Sequence, residues 1–290
     1  MQLLHYLPKP FLRHKIIDFL CKTGLVKNVD EISFNHGSKA VVDLLDPEPR
    51  NVFINGEFET HFYKIAEALL PDGGTFFDLG GNVGLCSFGL VTSRPKAHYH
   101  IFEANPRMIS LMKKSKDLQS QHFIQLNQAC VSNEQGTTTF CIESKQSGQS
   151  HVATDYERGI EVINLVLDEY CLKKRIEKID FAKVDLEGHE MNALKGWERC
   201  LTNYAVRAIY IEIIPENQNR YGLKTNDPLI FLESLGYELF LCKEDDFSNF
   251  DQTAQRHNFE SGNLTLLNFK ACDFPNEFAT DVLALAPKIP

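Results

Sequence analysis

The stretch of sequence that most constrains this chain is TFFDLGGNVGLCSF, which runs from Thr75 to Phe88. Its first part, Thr75–Leu79, is apolar and predicts a buried strand, and the segment Val83–Val91 predicts a helix. Between them lies a turn that contains three glycines and an asparagine. A strand, a glycine turn and a helix N-terminus in succession leave backbone N–H groups free to meet a ligand. The stretch therefore predicts an α/β fold with a small-molecule site at this turn.

Strand-like and helix-like patterns alternate along most of the chain that follows. The strand candidates are Thr75–Leu79, His98–Glu103, Phe123–Asn127, Thr137–Ile142, Ile179–Asp185, Val206–Ile214 and Glu238–Cys242. The helix candidates are Val83–Val91, Pro106–Leu118, Glu187–Leu201 and Pro228–Leu235. Such alternation is typical of a mostly parallel sheet, here of seven strands, flanked by helices on both faces. Ligands of these sheets bind beyond the carboxyl ends of the strands, which is where the glycine turn lies.

The first part of the chain predicts a cap that precedes this sheet. Residues 1–70 are interpreted as a helical and strand cap, and residues 71–290 as the ligand-binding domain. The segment Leu3–Leu25 has apolar residues at nearly helical spacing. This pattern favours a helix that packs on its own domain or joins two copies in a homodimer, and a helix on a membrane surface is the alternative.

Two later segments have less regular patterns. The polar run Glu143–Ser150 predicts a surface loop or a mobile flap. Residues 243–280 show no clear period and are interpreted as a lid or an insertion. The runs Asn263–Phe269 and Asp281–Leu285 are both strand-like, and the pattern does not decide which one is the last strand of the sheet.

Composition excludes several classes of function. The net charge of −9 and a pI near 5.6, without a block of five Lys and Arg residues, argue against nucleic acid as a partner. The eight cysteines are scattered with no C-x-x-C pair, which favours reduced thiols in the cytoplasm over disulfides or a zinc site. Charged residues interrupt the N-terminal apolar residues, so no signal peptide is expected. No uncharged run approaches the roughly 18 residues of a membrane span.

The glycine turn does not match the common phosphate-binding loops. A dinucleotide fingerprint, G-x-G-x-x-G, fails because Asn82 or Val83 stands where the second glycine belongs. A P-loop requires Gly-Lys, and Leu85 follows the last glycine here. The pattern that remains is D-x-G-x-N-x-G, formed by Asp78, Gly80, Asn82 and Gly84, with Gly81 inside it.

Two carboxylates indicate the kind of ligand. Asp78 at the end of its strand could face a cation such as an ammonium or a sulfonium group. Glu103 ends the next strand about 25 residues later and could accept hydrogen bonds from both vicinal hydroxyls of a ribose. The alternative is that Asp78 caps a helix and Glu103 is a solvated charge. The two acids favour a positively charged nucleoside without phosphates.

These residues form part of a family resemblance. The segments FFDLGGNVG, IFEANP, NQACVSNEQG, FAKVDLEGHEMNALKG, IYIEII and DVLALAP together resemble the FkbM family of S-adenosylmethionine-dependent methyltransferases. The similarity covers roughly residues 40–287, including GEFET before the core. The resemblance implies the Rossmann-like class I methyltransferase fold, with S-adenosylmethionine as cofactor and S-adenosylhomocysteine as product.

The resemblance also implies roles for single residues. It implies that the turn from Asp78 to Gly84 wraps the methionine part of the cofactor and that Glu103 holds the ribose hydroxyls. Near the adenosine it places Asn105, Ala129 and Cys130, and Glu59 approaches from the cap. The chain departs from the family in having GGN where GAN is more usual, and its segment Lys243–Thr280 is longer than the family requires. The second departure concerns the side of the chain that would form the substrate pocket.

Further acids follow the predicted strand Ile179–Asp185. Methyl transfer to a hydroxyl requires a general base, because a hydroxyl is too weak an acid to ionise alone. The candidates are Asp185 and His189, with Glu212 to orient the substrate. Glu187 and Glu190 could instead only stabilise the N-terminus of the next helix. A divalent metal on Asp185, Glu187 and Glu190 is a further alternative, which is not expected because the family does not generally need one.

The resemblance implies an O-methyltransferase that acts on a hydroxyl of a sugar, a glycolipid or a secondary metabolite, because FkbM-like enzymes modify such acceptors. An N-methyltransferase is one alternative, although DLEG stands where an N-P-P-Y-like tetrapeptide would be expected. A non-catalytic protein that has kept the fold and binds the cofactor is the other.

Overall fold

The computed structural model describes residues 10–250, 256–259 and 264–287. Its helices are α1 Pro10–Lys22, α2 Pro47–Asn55, α3 Thr60–Leu69, α4 Leu85–Leu90, α5 Pro106–Asp117, α6 Leu167–Lys174, α7 Glu190–Lys195, α8 Glu198–Thr202, α9 Pro215–Arg220 and α10 Asp227–Ser234. Its strands are β1 Val29–Phe34, β2 Ser38–Asp43, β3 Thr75–Leu79, β4 His98–Glu103, β5 Phe123–Gln128, β6 Cys130–Val131, β7 Gly136–Cys141, β8 His151–Val152, β9 Ile160–Leu165, β10 Phe181–Val184, β11 Ala208–Ile213, β12 Glu238–Leu241, β13 Arg256–Phe259, β14 Leu264–Phe269 and β15 Thr280–Leu285.

The central sheet has the strand order β13-β14-β12-β15-β11-β10-β3-β4-β5. Strands β11, β10, β3, β4 and β5 pair in parallel, while β15 runs antiparallel to both β11 and β12, and β14 to both β12 and β13. Seven of the nine described strands therefore point in one direction. The expected class I methyltransferase architecture, a mostly parallel sheet flanked by helices, is confirmed.

The prediction of which strands make up this sheet was partly wrong. The segment predicted at Thr137–Ile142 is β7, and it belongs to a separate sheet of order β6-β9-β7-β8. Its threonines are mostly exposed, as suits a strand with one face towards solvent, whereas β10 is buried throughout. Strand β15 enters the central sheet instead, between β11 and β12. Strand β14, from the segment interpreted as a lid or an insertion, extends the sheet beyond β12.

The helix predicted at Glu187–Leu201 is also divided. Glu187 and Gly188 both have left-handed backbone conformations, with φ of +54° and +101°, so the first helix, α7, begins only at Glu190. It ends at Gly196, whose backbone packs against the carbonyl group of Ser132. A Cβ atom at Gly196 would lie 2.1 Å from the oxygen of that carbonyl. Glu187 therefore belongs to the loop at the carboxyl end of β10, not to a helix.

Aromatic side chains pack on both faces of the sheet. On one face the rings of Phe76 and Phe181 stack with centroids 5.8 Å apart, in a core that also includes buried side chains of the cap such as Phe62. On the other face Phe77 stacks on Trp197 at 5.7 Å. Each such pair contributes about 0.5–1.5 kcal/mol beyond burial of its area. Packing from both sides fixes the strand ends that carry the polar residues.

The cap consists of α1, the antiparallel hairpin β1–β2, α2 and α3. The prolines of DPEP, which predicted only the end of a strand, also start α2, because Asp46 caps this helix and Pro47 occupies its first turn. The expected N-terminal helix begins at Pro10, and its predicted part at residues 3–9 lies outside the described residues. None of the helices in the described part of the chain has the length and apolar character that a membrane crossing requires.

Candidate active site

A cavity of about 620 Å³ lies beyond the carboxyl ends of β3, β4, β10 and β11. Its size is within the range of small-molecule sites, about 300–1,000 Å³. The residues after these four strands reach it, which is the expected position for a ligand in a sheet of this topology. The cavity is also lined by the cap and by residues of the small sheet.

The glycine turn is pressed against the neighbouring strand ends. The N–H groups of Gly80 and Gly81 both donate to the carbonyl of Phe102, at 3.0 Å each. Gly80 has φ of +80°, and a Cβ atom there would lie 1.8 Å from the carbonyl oxygen of Asp185. At Gly81, where the family more often has alanine, a Cβ atom would lie 2.3 Å from Cγ2 of Ile101. The glycines therefore serve the packing of the turn as well as access for a ligand.

The carboxylate of Asp78 lies at the bottom of the cavity. It is 1% exposed and accepts a hydrogen bond of 2.6 Å from the hydroxyl of Ser87. Burial raises the pKa of Asp78, although the ammonium group of Lys183 opposes this shift. The negative charge is thus costly without a cationic partner, and a cationic ligand would stabilise it.

Glu103 is held by backbone donors from two segments. Its Oε2 accepts from the N–H of Asn82 at 2.8 Å, and its Oε1 accepts from the N–H of Asn105 at 2.6 Å. Burial raises the pKa of Glu103 to about 7. Each oxygen keeps a lone pair for a hydroxyl group. Ala129 and Cys130 line the cavity nearby.

The structure places Asn105 behind Glu103 and not at the cavity. Its side chain is 1% exposed and accepts a hydrogen bond of 3.0 Å from the N–H of Arg107, so it caps α5. Its own N–H donates to Glu103, so Asn105 supports that carboxylate.

Lys183 is a site residue that the sequence analysis missed. Its side chain is 7% exposed, and its Nζ lies 2.6 Å from Oδ2 of Asp185 and 3.8 Å from Oε1 of Glu59. Burial works against its charge, but Asp185, Glu59 and Asp78 together raise the pKa of Lys183 well above its usual value. The lysine within the otherwise apolar strand FAKV was the signal that could have identified it. Glu59 lines the cavity from the cap, as the resemblance implied.

Asn82 connects the turn to the cap and to the polar segment Glu143–Ser150. Its Nδ2 donates to Oε2 of Glu48 at 3.2 Å, and its Oδ1 accepts from the hydroxyl of Ser147 at 2.8 Å. The N–H of Ser147 in turn donates to Asp46 at 2.9 Å. The segment predicted as a loop or a flap thus lies over the cavity, and Glu48 and Ser147 are further lining residues that the sequence analysis missed.

Three carboxylates converge at the ends of β10 and β11. Oxygen atoms of Asp185, Glu187 and Glu212 all lie within 4.8 Å of one another. The pKa of Glu212 is raised to about 10, mainly by the charge of Asp185 and to a smaller extent by burial. The pKa of Glu187 is raised to about 8, mainly by burial and to a smaller extent by the charge of Asp185. Like charges this close cannot all ionise, so the cluster retains protons at neutral pH.

Glu190 does not join this cluster, so the metal-binding set considered from the sequence was wrong. Its carboxylate is 2% exposed and accepts from the N–H groups of Leu186 and Gly188, at 2.9 and 3.1 Å, and from Nε2 of Gln218 at 2.6 Å. Glu190 thus holds the loop after β10 in place, and Glu212 stands where Glu190 was expected.

His189 lines the cavity and is buried, with the amide of Asn192 3.2 Å from its Nδ1. Its ring packs edge-on against Tyr221 with centroids 5.8 Å apart, and its Nε2 lies 3.4 Å from the hydroxyl of Ser132. Burial lowers the pKa of His189 to about 4. The imidazole is therefore neutral at pH 7 and only a weak base.

The residues of the cavity fit S-adenosylmethionine. Among the described residues that line it, nine are acidic and two are Lys or Arg. This charge suits a cofactor that carries a sulfonium and an ammonium group. Glu103 has free lone pairs for a ribose, and Ala129, Cys130 and Phe140 offer an apolar wall.

Comparisons with known proteins identify the family of this chain. A sequence profile described as "Methyltransferase FkbM domain" matches residues 78–239, more than half of the chain. The hexuronic acid methyltransferase AglP of Haloferax volcanii is 25% identical over 205 residues, which cover 68% of this chain and 80% of that protein.

Solved structures with similarity to this chain include a precorrin-6y C5,15-methyltransferase from Geobacter metallireducens, with a TM-score of 0.40, 13% identity and coverage of 80% of this chain and 89% of that one. A TehB-like SAM-dependent methyltransferase from Corynebacterium glutamicum has a TM-score of 0.40 and 15% identity, with 82% of this chain and 94% of that one covered. By the profile match and the motifs of the cavity, the chain belongs to the FkbM family of S-adenosylmethionine-dependent methyltransferases.

Proposed function

We propose that the chain methylates a hydroxyl group of a sugar, a glycolipid or a secondary metabolite by in-line transfer with the help of a general base. The observation that carries this proposal is the cluster of Asp185, Glu187 and Glu212, which shares one cavity with the glycine turn and Glu103. A hydroxyl acceptor needs a group that takes its proton, and carboxylates placed beside the donor site can do so.

The cofactor side of the cavity, which contains the glycine turn, Glu59 and Glu103, is proposed to bind S-adenosylmethionine and orient it. S-adenosylmethionine, when bound, supplies a methyl group on a positively charged sulfur that is already a good leaving group. Asp78 and Glu59 provide negative charge near the turn, and Glu103 accepts the ribose hydroxyls. Ser147, held by Asn82, covers this side and limits the access of water.

On the acceptor side, Asp185 is proposed as the base. Lys183 fixes its Oδ2, and the protonated carboxyl group of Glu212 shares a hydrogen bond with it. The other carboxyl oxygen of Glu212 can accept a hydrogen bond from a hydroxyl group of the acceptor and orient it, which is the role expected from the sequence. His189, with its low pKa, is the weaker candidate and is proposed to position the acceptor.

The charge of the cavity bears on the class of acceptor. The name of the Haloferax relative supports a sugar. Glu187 and Glu212 hold protons at neutral pH, but the seven other acidic side chains of the lining still outnumber Lys183 and Arg220, so the lining repels a carboxylate and accepts neutral hydroxyl groups more readily. An uncharged sugar is therefore proposed as a better acceptor for this chain than the corresponding uronic acid.

The experiment is a screen with S-adenosylmethionine that carries a labelled methyl group. Neutral sugars, uronic acids, glycolipids and glycosylated metabolites are incubated with the chain, and mass spectrometry locates the label. We expect the label on an oxygen atom, with neutral acceptors favoured over their uronic acids. Label found only on nitrogen would replace the proposal with an N-methyltransferase. Calorimetry serves as the control for the cofactor, because a chain that does not bind S-adenosylmethionine at millimolar concentration cannot have the proposed activity.

A further inference from the structure

A second group of potential ligand atoms lies at the base of the segment Glu143–Ser150. Cys141 ends β7 and His151 begins β8, and the two residues stand directly opposite each other in the antiparallel pair. Directly opposed side chains lie on the same face of a sheet. Glu157 approaches from the turn that follows β8, and the sulfur, the ring nitrogen and a carboxylate oxygen lie within 4.8 Å of one another.

The imidazole of His151 has one nitrogen available for a further partner. Its Nδ1 lies 2.9 Å from the backbone carbonyl of Gln149, and a carbonyl oxygen can only accept, so Nδ1 carries a proton. Its Nε2 faces Oε1 of Glu157 at 3.3 Å. Two groups that both accept hydrogen bonds need a positive species between them, either a proton on Nε2 or a metal ion.

The carboxylate of Glu157 is oriented in the same way. Its Oε2 accepts from both the N–H and the hydroxyl of Thr154, at 2.7 Å each, which leaves Oε1 for His151. Histidines and carboxylates that bind metals are usually held through their second polar atom in this manner. Both potential ligands therefore have the supporting contacts of a built site.

The distances and the donor types suit zinc. Two nitrogen or oxygen ligands at about 2.0–2.1 Å from a tetrahedral Zn²⁺ lie about 3.4 Å apart, close to the separation of Nε2 and Oε1. Thiolate, imidazole and carboxylate are all zinc ligands, and three of them leave a fourth position for water. Cys141 and His151 are buried, whereas the side chain of Glu157 is 38% exposed, so an ion can enter from solvent.

We propose that Cys141, His151 and Glu157 form a binding site for a divalent transition-metal ion, Zn²⁺ by its chemistry. Binding replaces the thiol proton of Cys141 with the metal and releases that proton to solvent. Because Cys141 precedes the segment Glu143–Ser150 and His151 follows it, the ion joins both ends of this segment. The ion thus stabilises the segment Glu143–Ser150, which covers the cofactor side of the cavity. His151 also lines the cavity, so the ion would lie at its wall, and its ligands are not the carboxylates of Asp185, Glu187 and Glu212.

The test uses the full chain, freed of metal with a chelator and then titrated with Zn²⁺ or Co²⁺. We expect one ion per chain, and a Co²⁺ complex with the near-ultraviolet absorption of a thiolate ligand. Cys141→Ser should abolish this absorption and weaken Zn²⁺ binding at least about 100-fold, since loss of a supporting contact alone typically costs about 10- to 100-fold. The matched control is Cys272→Ser, because Cys272 is an exposed free thiol outside the cluster. It should leave binding and absorption unchanged.

Glu157→Gln provides a second variant in case Cys141→Ser does not fold, which circular dichroism would show, and it should also weaken Zn²⁺ binding. Trypsin cleavage after the exposed Lys145 gives a further measurement, since Zn²⁺ should slow it in the wild type and not in either variant. Absence of Zn²⁺ binding at micromolar concentration, or wild-type affinity in the variants that fold, would show that His151 and Glu157 are only an ion pair. Loss of the absorption in Cys272→Ser would also overturn the proposal.

Discussion

At the glycine turn the carboxylates are each held by separate hydrogen-bond donors, whereas at the ends of β10 and β11 the carboxylates have donors and also lie against one another. Glu103 accepts two backbone N–H groups and Asp78 accepts the hydroxyl of Ser87. Asp185 and Glu212 instead share a hydrogen bond, and the pKa of Glu212 rises to about 10 mainly because Asp185 is charged. The first arrangement suits a fixed binding site, and the second suits a group that takes up and releases a proton.

The largest expected effect is a loss of kcat, and it should distinguish Asp185 from Glu212. Asp185→Asn should lower kcat about 10²- to 10⁴-fold, the usual effect of losing a general base, with a smaller change in cofactor affinity. Glu212→Gln is the matched control, because Glu212 is already uncharged at pH 7. It should lower kcat much less than Asp185→Asn does, since the glutamine amide keeps a donor for Asp185 and an acceptor for the substrate. Steady-state kinetics with a confirmed acceptor measures both, and equal losses would contradict the assignment of Asp185 as the base.

The cofactor side could be predicted from the sequence because it consists of contiguous segments. The bounds of β3 and β4 agree with the predicted Thr75–Leu79 and His98–Glu103, and the motif from Asp78 to Gly84 lies in one turn. A strand pattern followed by a glycine turn determines its local structure almost without help from the rest of the chain.

The acceptor side combines distant segments, and here the sequence was less informative. Glu190 was grouped with Asp185 and Glu187 because it is near them in sequence, but the left-handed backbone at Glu187 and Gly188 turns its side chain towards backbone N–H groups. Glu212 was predicted on the acceptor side, but its place in the cluster with Asp185 and Glu187 comes from the pairing of β10 with β11. Such pairing depends on the register of the whole sheet, which local patterns do not specify.

The next largest effect is on the free energy of unfolding, and it tests how much the contact between Gly80 and Asp185 contributes to the glycine turn. Gly80→Ala should destabilise the fold by about 3 kcal/mol, because its Cβ would lie 1.8 Å from the carbonyl oxygen of Asp185 in a left-handed conformation. Gly222→Ala is the control, since Gly222 has a similar φ of +70° and no atom within 4 Å of the added Cβ. Its cost should be only about 1 kcal/mol, the cost of a left-handed conformation for a residue with a Cβ atom. Urea unfolding measures both variants, and equal costs would mean that the contact with Asp185 is unimportant.

A moderate effect is expected at Glu103. Glu103→Gln removes a negative charge. It also replaces one carboxylate oxygen by an amide N–H₂ group, which cannot accept the hydrogen bond that a backbone N–H group donates there. Hydrogen bonds to a charged group contribute about 1.5–3 kcal/mol, so the Kd for S-adenosylmethionine should rise about 10- to 100-fold. Glu134→Gln, at an exposed acid away from the cavity, should leave the Kd unchanged. Calorimetry provides the values, and an unchanged Kd in Glu103→Gln would remove Glu103 from the cofactor site.

The smallest effect concerns the pH dependence of stability. The pKa of Glu187 is raised to about 8 in the folded chain, from 4.5 as its ordinary value, so the folded state holds this proton more tightly than the unfolded state. The stability that results is complete below pH 4.5, decreases as the pH rises and is lost above about pH 8. Because Glu187 is partly exposed, the expected loss is about 1–2 kcal/mol between pH 5 and pH 9. Urea unfolding over this range should show a smaller loss for Glu187→Gln than for the wild type, whereas Glu134→Gln should follow the wild type. If Glu187→Gln and the wild type lose stability equally, then the carboxylates at the ends of β10 and β11 do not compete for protons as their separations imply.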